Sequence, residues 1–422
     1  MTSVSAVAAE RPKRVVVVGA GMVGLSTAWF LREHDVEVTV LERKHVAAGA
    51  SWGNAGWLTP GLTVPLPEPA VLRFGIRAML QPDSPLYVPL RADPQLWGFL
   101  IGFARHSTRS RWVAGIRAYA PVSRRAFAAF DRMAAGGVSE PVREAEPFLI
   151  GFRSRDEAGG LLEELGYLKE AGLDVRYEVL DGAEARRLEP ALSENVGMAV
   201  RLYGQRFINP PRYMEALARS VRERGVDLRE GVGVADVRDE GSRVTVHLED
   251  GDTLTADAVV LATGAELSRL ARKFGVRVWV QAGRGYSFSI PMRRVPAGPV
   301  YFPVQRVACT PLGDRLRVAG MMEFRRHGEP LDPRRIQAIV KAAAPLLDGA
   351  DFSDRRDEWV GSRPCTADGL PLIGRTSSPR VYVGGGHCMW GIFLGPLTGQ
   401  LLAEAMVTGQ VPSELAPFDP LR

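Results

Sequence analysis

The sequence predicts a mixed α/β protein, α+β overall, and three observations carry that prediction. Arg14–Val18 reads RVVVV, a continuous run typical of a strand buried on both faces of a parallel sheet. Met22–Arg32 has the apolar spacing of a helix and Glu37–Leu41 that of a second strand, so a strand-turn-helix-strand unit fits into about 30 residues. Residues 276–325 alternate short strands and turns, which favours a second, mainly antiparallel sheet.

The composition is that of a globular protein: 46% of the 422 residues are hydrophobic and 24% are charged. The length predicts two or three domains of roughly 100–200 residues each. No stretch approaches the ~18–20 consecutive apolar residues of a membrane span. Residues 1–12 lack the apolar core of a signal peptide. We therefore expect a disordered leader over residues 1–12 and a cytoplasmic location.

Charge and metal-ligand patterns exclude several classes of function. The net charge is +5, but the arginines are interspersed with acidic residues and no basic run carries aromatic residues. We therefore expect no nucleic-acid partner and leave peripheral contact with anionic membranes open. The three cysteines, Cys309, Cys365 and Cys388, lack metal-knuckle spacing, and the few histidines are not clustered. This predicts a reducing compartment and no metal site.

The turn between the first strand and the first helix has the pattern G-x-G-x-x-G. Gly19 permits the tight turn, Gly21 lets a diphosphate approach the backbone, and Gly24 lets helix and strand pack closely. The helix N-terminus, at Met22 and Val23, offers free N–H groups to phosphates. This context predicts a Rossmann-like dinucleotide-binding domain.

An acidic residue follows the second strand of this unit. Glu42 lies at the point where a carboxylate can accept hydrogen bonds from both ribose hydroxyls and would repel a 2′-phosphate. The sequence therefore disfavours NADP.

Three further segments favour FAD over NAD. The strand Val259–Ala262, closed by Thr263 and Gly264, is typical of a strand that returns to the dinucleotide domain. The Gly49–Gly56 loop, directly after Arg43, consists largely of small residues that let a planar cofactor approach. Near the C-terminus, Gly384–His387 and Gly391 precede a helix that we predict from about Leu397 to Val407.

Assembled, these segments resemble the D-amino-acid oxidase/dehydrogenase family of flavoproteins, and most of all its bacterial D-amino-acid dehydrogenase branch. Ser51–Gly56 with Thr59-Pro60-Gly61 is similar to the S-x-x-N-A-G…P-G of that branch. Arg284–Ser287 resembles its K-G-Y-S. Gly361–Gly374 resembles the family's G-x-R-P-x-T-x-D-G-x-P-x-I-G. The resemblance covers nearly the whole chain.

The resemblance implies roles for individual residues. Arg363 of the G-x-R-P segment would bind the substrate carboxylate, because a planar guanidinium pairs with it in bidentate fashion. Tyr286 or Tyr301 would support that contact, and His387 would either touch the flavin or cap the last helix. The residues expected to hold the cofactor are Gly19, Gly21, Met22, Val23, Gly24, Glu42, Arg43, Ser51, Asn54, Ala55, Gly56, Val234, Thr263, Gly264, Arg363, Gly386, His387 and Gly391.

The mode of FAD binding is expected to be noncovalent. In the related sarcosine-oxidase branch a cysteine links the flavin, and Gly361 occupies the position that matches it. Cys388 stands where the family commonly has the last glycine of a G-H-G turn, which would put a thiol near the flavin.

The activity implied is oxidative deamination of a small amine, most of all a D-amino acid. The substrate would lose hydride to flavin N5, and the imine would hydrolyse to a keto acid and ammonia; the reduced flavin would pass its electrons to O₂ or a quinone. The alternatives are a glycine- or sarcosine-oxidase-like enzyme, a D-hydroxyproline-dehydrogenase-like enzyme, a tailoring amine oxidase of a biosynthetic pathway, and a flavin-binding protein without catalysis.

The motifs also predict how the chain is divided. The FAD-binding domain would combine residues 13–95, 195–270 and 356–422, and the substrate-binding domain residues 96–194 and 271–355. The active site would lie at their interface, where ligand sites are common.

Overall fold

A computed structural model describes residues 11–72, 86–89 and 92–422. Residues 1–10 of the predicted leader lie outside the described residues. The described helices are α1 (Met22–Arg32), α2 (Pro94–His106), α3 (Arg109–Ala135), α4 (Arg155–Glu170), α5 (Gly182–Leu188), α6 (Pro210–Glu223), α7 (Leu267–Ala271), α8 (Pro333–Ala343) and α9 (Gly391–Thr408).

The described strands run from β1 to β21 in chain order. They are β1 (Arg14–Val18), β2 (Glu37–Glu42), β3 (Trp57–Leu58), β4 (Leu86–Tyr87), β5 (Arg143–Glu144), β6 (Phe148–Phe152), β7 (Tyr177–Asp181), β8 (Met198–Leu202), β9 (Arg206–Phe207), β10 (Asp227–Glu230), β11 (Val234–Asp239), β12 (Val244–Leu248), β13 (Thr253–Ala256), β14 (Ala258–Leu261), β15 (Gln281–Pro291), β16 (Val300–Phe302), β17 (Val307–Leu312), β18 (Arg315–Glu323), β19 (Arg356–Cys365), β20 (Leu372–Arg375) and β21 (Val381–Gly385).

A six-stranded sheet has the order β10-β2-β1-β14-β21-β20 and is parallel except for β20. Alternate residues of β1 face opposite sides of this sheet, as strand geometry requires. Val15 and Val17 pack against helices α1, α6 and α9, while Val16 and Val18 pack on the side of the small β11-β12-β13 sheet. The predicted strand buried on both faces is confirmed.

A second sheet runs in the order β19-β15-β18-β17-β16-β6-β8-β7, with β4 pairing β18. Its pairings are antiparallel except for β16 with β6 and β18 with β4. Helix α8 packs on one face and α4 on the other. The fold class, a parallel nucleotide-binding sheet joined to a mainly antiparallel one, is therefore as the sequence predicts.

Helix α9 begins at Gly391 and not near Leu397 as predicted. The early residues of the segment contain glycines and a proline, which suggested a turn. A Cβ atom on Gly395 would lie 2.5 Å from the Met22 side chain, and one on Gly399 would lie 2.5 Å from the Thr27 nitrogen. These glycines are in the helix because α9 crosses α1 closely, and close crossings need small residues.

Two strands depart from the predicted division into domains. Met198–Leu202 and Arg356–Cys365 were assigned to the FAD-binding domain, but both belong to the larger, mainly antiparallel sheet. β8 pairs between β6 and β7, and β19 forms the edge beside β15. Their ladder partners, which lie far away in sequence, decide this placement.

The helices within the described ranges were also compared with the requirements of a bilayer. None of them combines the length and the apolar character that a membrane-spanning helix needs.

Candidate active site

The glycine turn after β1 has the conformation that its pattern predicts. Gly19 has φ +110°, and a Cβ atom there would lie 2.4 Å from the Ala262 carbonyl oxygen. A Cβ on Gly24 would lie 1.9 Å from the carbonyl oxygen of Gly19, so only glycine allows this helix to pack on the strand. At Gly21 a Cβ would meet only the Ser51 Oγ, at 3.3 Å, which leaves an open cradle before the helix N-terminus.

At the start of α1 the Met22 N–H is already used by Ser51, which leaves the Val23 N–H for an anion. Met22 and Val23 form the first turn of α1, where N–H groups have no acceptor within the helix. The Met22 nitrogen donates to Ser51 Oγ at 3.1 Å, which ties the Gly49–Gly56 loop to the turn. The cradle and the helix dipole fit a diphosphate.

Glu42 lies beside the cradle at the end of β2. One carboxylate oxygen accepts from the Ala20 nitrogen at 3.0 Å and the other from the Lys44 nitrogen at 2.9 Å. A carboxylate has about four acceptor sites, so this one retains capacity for ribose hydroxyls. The backbone oxygen of Glu42 accepts a hydrogen bond from the Val232 nitrogen. This contact brings Val234, the first residue of β11, near the end of β2.

Further predicted cofactor residues surround the same cradle. Thr263, at the end of β14, has a buried hydroxyl with no hydrogen-bond partner. Gly264 has φ +57°, and a Cβ there would meet open space. An orphaned buried hydroxyl next to open space indicates a ligand that supplies its partner. Arg43, in contrast, is held by Glu266 in an ion pair.

The Gly49–Gly56 loop is held by Arg317, a residue that no sequence motif indicates. Arg317 of β18 donates to the carbonyl oxygens of Trp52, at 2.9 Å, and Asn54, at 3.2 Å. Burial lowers the pKa of Arg317 to about 10. The Ala55 carbonyl accepts from Thr310, and the Asn54 side chain accepts from Gly56 at 2.8 Å. These hydrogen bonds hold the backbone of the loop, and those from Arg317 and Thr310 come from residues far away in the sequence.

A cavity of about 550 Å³ lies between this loop and the larger sheet, and its wall is mostly apolar. Arg363 of β19 is on that wall, where its Nη1 donates to the Met321 carbonyl oxygen at 2.8 Å. Within the ranges that the structure describes, no carboxylate forms an ion pair with Arg363. Burial lowers the pKa of its guanidinium. A partly buried cation with spare donors on a cavity wall is suited to an organic carboxylate.

Tyr286 lies in a different environment. Its hydroxyl donates to the Glu323 carboxylate at 2.7 Å. Glu323 also forms ion pairs with three arginines, and we refer to the five residues as the Glu323 cluster: Arg284, Tyr286, Glu323, Arg325 and Arg335. Tyr286 is buried and is not among the residues that line the cavity. The structure therefore does not bring the hydroxyl of Tyr286 together with Arg363 on the wall.

Tyr301 does line the cavity, where its ring stands edge-on to Trp57 with centroids 5.3 Å apart. Glu68, Glu164 and Arg306 line the same cavity. Burial, with the charge of Glu68, raises the pKa of Glu164 to about 8. Because these side chains come from segments distant in sequence, no spacing in the sequence indicates their grouping.

His387 contacts the last helix. Its Nε2 lies 2.9 Å from the Thr398 Oγ1 of α9, and burial lowers its pKa to about 4, which keeps the ring neutral. The side chain is not among those lining the cavity. Thr398 lies in the interior of α9, so this contact is not a cap of the helix, and the contact of His387 with the flavin stays a prediction. Gly386, with φ +72°, makes the turn before it, and Gly391 begins α9.

No group of potential metal ligands occurs in the described part of the chain.

Comparison with known proteins identifies the family. The model of the family described as FAD dependent oxidoreductase, DAO, matches residues 14–405. The D-amino acid dehydrogenase of Methylobacterium nodulans is 32% identical over 417 residues, which cover 96% of this chain and 97% of that protein. The D-amino acid dehydrogenase of Cereibacter sphaeroides is 31% identical over 409 residues, 94% and 92% of the two chains.

A solved structure supports the same assignment. The glycine oxidase of Geobacillus kaustophilus superposes with a TM-score of 0.73 at 25% identity, covering 98% of this chain and 99% of that one. The cradle at Gly21, the carboxylate of Glu42 and the unpartnered hydroxyl of Thr263 fit the diphosphate and ribose of FAD. FAD is the cofactor that the family description names. The chain belongs to the DAO family of FAD-dependent oxidoreductases and is an FAD-dependent enzyme of amino-acid oxidation.

Proposed function

We propose that this enzyme oxidises the C–N bond of free α-amino acids, D-amino acids foremost, to imines that hydrolyse to keto acids and ammonia. The observation that carries the proposal is Arg363, a guanidinium on the cavity wall that has no carboxylate partner among the described residues. The names of the two relatives, D-amino acid dehydrogenase, support the choice of the D series.

The chain's own residues bind and orient the reactants. When bound, FAD supplies two-electron oxidation of the C–N bond, and the cradle at Gly21, the carboxylate of Glu42 and the hydroxyl of Thr263 would hold it. Arg363 fixes the substrate carboxylate, so that the α-carbon has one orientation. The apolar wall keeps water away from the reacting carbon. We further propose that FAD is bound noncovalently and is reoxidised by O₂ or a quinone.

The lining of the cavity favours substrates with a side chain. The wall is mostly apolar, and the volume of about 550 Å³ also includes the space beside the Gly49–Gly56 loop where the cofactor would lie. Tyr301 and Glu164 line the cavity and would contact the side chain. The second candidate is a glycine- or sarcosine-oxidase-like activity, because the glycine oxidase of Geobacillus kaustophilus resembles this chain over almost its whole length.

The test is anaerobic reduction of the purified yellow holoenzyme, followed by flavin absorbance. The panel contains D- and L-amino acids, glycine, sarcosine, D-proline and D-hydroxyproline. We expect D-amino acids with side chains to bleach the flavin fastest. Readmission of air, or addition of a soluble quinone, then identifies the acceptor. Faster bleaching by glycine or sarcosine would replace the proposal with the second candidate, and bleaching by no free amino acid would refute both.

A further inference from the structure

Two cysteines face each other next to the substrate arginine. Cys365 ends β19, and Cys388 lies in the turn before α9. Their sulfur atoms are 3.2 Å apart, and both residues are buried. The Cys388 nitrogen donates to the Pro364 carbonyl oxygen at 2.8 Å, and Cys365 forms a β-bridge with His387. The two backbones are thus joined where the thiols meet, so the contact does not depend on the side chains alone.

The backbone at Cys388 shows that the position is unusual for cysteine. Its φ is +50°, in the left-handed region where glycine alone avoids a steric penalty. The turn already contains Gly384, Gly385 and Gly386. A side chain kept in this conformation indicates a contact that offsets the strain, and the contact that Cys388 makes is with the sulfur of Cys365.

The electrostatic surroundings favour a thiolate at one of the two sulfurs. The hydrogen bond from Cys365 and the positive charge of Arg363 lower the pKa of Cys388, against burial, which opposes them. The same hydrogen bond and burial raise the pKa of Cys365. Cys388 is therefore the more acidic thiol of the two, which makes it the candidate nucleophile of the pair.

The pair lies beside the active-site cavity. Cys365 and Cys388 belong to an apolar cluster that includes Phe103 and Met389, and those two residues line the active-site cavity. The thiols lie directly behind that wall. Cys309 differs: it is buried in the core under α8, and burial alone raises the pKa of its thiol.

We propose that Cys365 and Cys388 form a redox-active dithiol, which a hydroperoxide entering from the cavity converts into an intramolecular disulfide. The Cys388 thiolate attacks one oxygen of the peroxide; the O–O bond breaks, giving a sulfenic acid and a hydroxide that takes up a proton. The sulfur of Cys365 then attacks the sulfenic sulfur, the S–O bond breaks, and the Cys365 proton leaves with the hydroxide as water. In sum, two thiols and hydrogen peroxide yield a disulfide and two molecules of water.

The disulfide would change the site through charge. It replaces two ionisable thiols, both of which act electrostatically on the Arg363 guanidinium, with a neutral disulfide two residues along the same strand. The modification site is independent of which amino acid the enzyme oxidises, so its test does not depend on the proposed function.

The experiment treats the purified holoenzyme with hydrogen peroxide, blocks remaining thiols under denaturing conditions and maps the non-reduced peptides by mass spectrometry. We expect a Cys365–Cys388 cross-linked peptide, an unmodified Cys309, and reversal by dithiothreitol. A map that lacks this cross-link would overturn the proposal.

Variants separate the pair from the third cysteine. Cys309→Ser should keep the cross-link. Cys388→Gly should abolish it while folding normally, because glycine adopts φ +50° without strain. After peroxide, Cys388→Gly should retain Cys365 as a thiol or as singly oxidised forms. A disulfide between Cys365 and Cys309 in that variant would show that pairing is not specific and would contradict the proposal.

Discussion

Two arginines on adjacent strands have opposite surroundings. Arg284 on β15 is 1% exposed, and its ion-pair partner Glu323 is fully buried beside it. Arg363 on β19 pairs in register with Gly283, the residue before Arg284, and faces the cavity. Among the described residues its guanidinium donates to the Met321 carbonyl and the Met322 sulfur. One charge is neutralised within the fold, while the other is left for a ligand.

A carboxylate partner within the fold distinguishes a structural arginine from a candidate binding arginine. Both side chains carry the cost of desolvation, which internal partners must offset for the fold to persist. In the Glu323 cluster a buried carboxylate supplies part of that offset before any substrate arrives, although the buried Nη1 of Arg284 has no hydrogen-bond partner. At Arg363 no carboxylate of the described residues contributes, so we expect a substrate carboxylate to supply the ion pair. The predictions below test this contrast.

The largest effect is expected from Glu323→Ala. The substitution leaves Arg284, Arg325 and Arg335 without their shared carboxylate, which typically costs about 3–5 kcal/mol when a buried pair is broken. Urea unfolding of the holoenzyme measures it. Asp348→Ala removes the carboxylate of an exposed pair and should cost about 0–1 kcal/mol. Equal losses in the two variants would contradict the structural role of the Glu323 cluster.

Arg363→Ala should instead affect catalysis. Loss of a charge-assisted contact to the substrate carboxylate should lower kcat/KM by about 10²–10³-fold, mostly through KM. The free energy of unfolding should not fall, because a desolvated charge is removed. Arg363→Lys, which keeps the charge but not the planar fork, should recover part of the loss. Steady-state kinetics with an artificial electron acceptor give these values, and an unchanged kcat/KM would refute the assignment.

Substitutions of the two predicted tyrosines should likewise affect different quantities, stability for Tyr286 and KM for Tyr301. Tyr286→Phe removes the donor to Glu323 and should cost about 1–2 kcal/mol of stability with little change in KM. Tyr301→Phe alters a hydroxyl on the cavity wall and should change KM for substrates with long side chains, with little effect on unfolding. Measuring both quantities for both variants is the test. A change in KM for Tyr286→Phe alone would contradict the assignment of Tyr301, and not Tyr286, to the substrate cavity.

The smallest effect concerns Glu164 and pH. Its folded pKa of about 8 lies above the reference value of 4.5, so the folded chain keeps a proton that the unfolded chain loses between those values. This group's contribution to stability therefore falls as the pH rises from about 4.5 to about 8. Glu164→Gln should abolish that fall, so its stability relative to wild type should be greater at about pH 9 than at about pH 5. Equal differences in Tm at both pH values would contradict the raised pKa.

The sequence predicted the parts of the fold that depend on local interactions. The strand-turn-helix-strand unit and the conformation of Gly19 follow from residues within about 30 positions of one another. The start of α9 was wrong because glycines that serve a helix crossing look like a turn. The predicted division assigned β8 and β19 to the FAD-binding domain, whereas both pair within the larger sheet, because partners distant in sequence decide the pairing.

The cavity was less predictable for the same reason. Arg363 was identified through the resemblance of its segment, and Tyr301 through its residue type, but Arg317 and Glu164 carry no local signal. The sequence could not distinguish Tyr286 from Tyr301. The pairing register of β15 with β18 places Tyr286 beside Glu323 in the buried cluster. Side chains assembled from distant strands require the fold before their grouping is visible.

The close crossing of α1 and α9 has a thermodynamic consequence. The first helix and the last one meet at the cofactor cradle, so no fragment from one end of the chain contains the site. A ligand that binds only this native juxtaposition adds to the free energy of unfolding by mass action, about 2.7 kcal/mol at a concentration of 100 Kd. The melting temperature of a sample therefore depends on its FAD occupancy. Dilution that lets the cofactor dissociate would therefore lower the melting temperature of an unchanged chain.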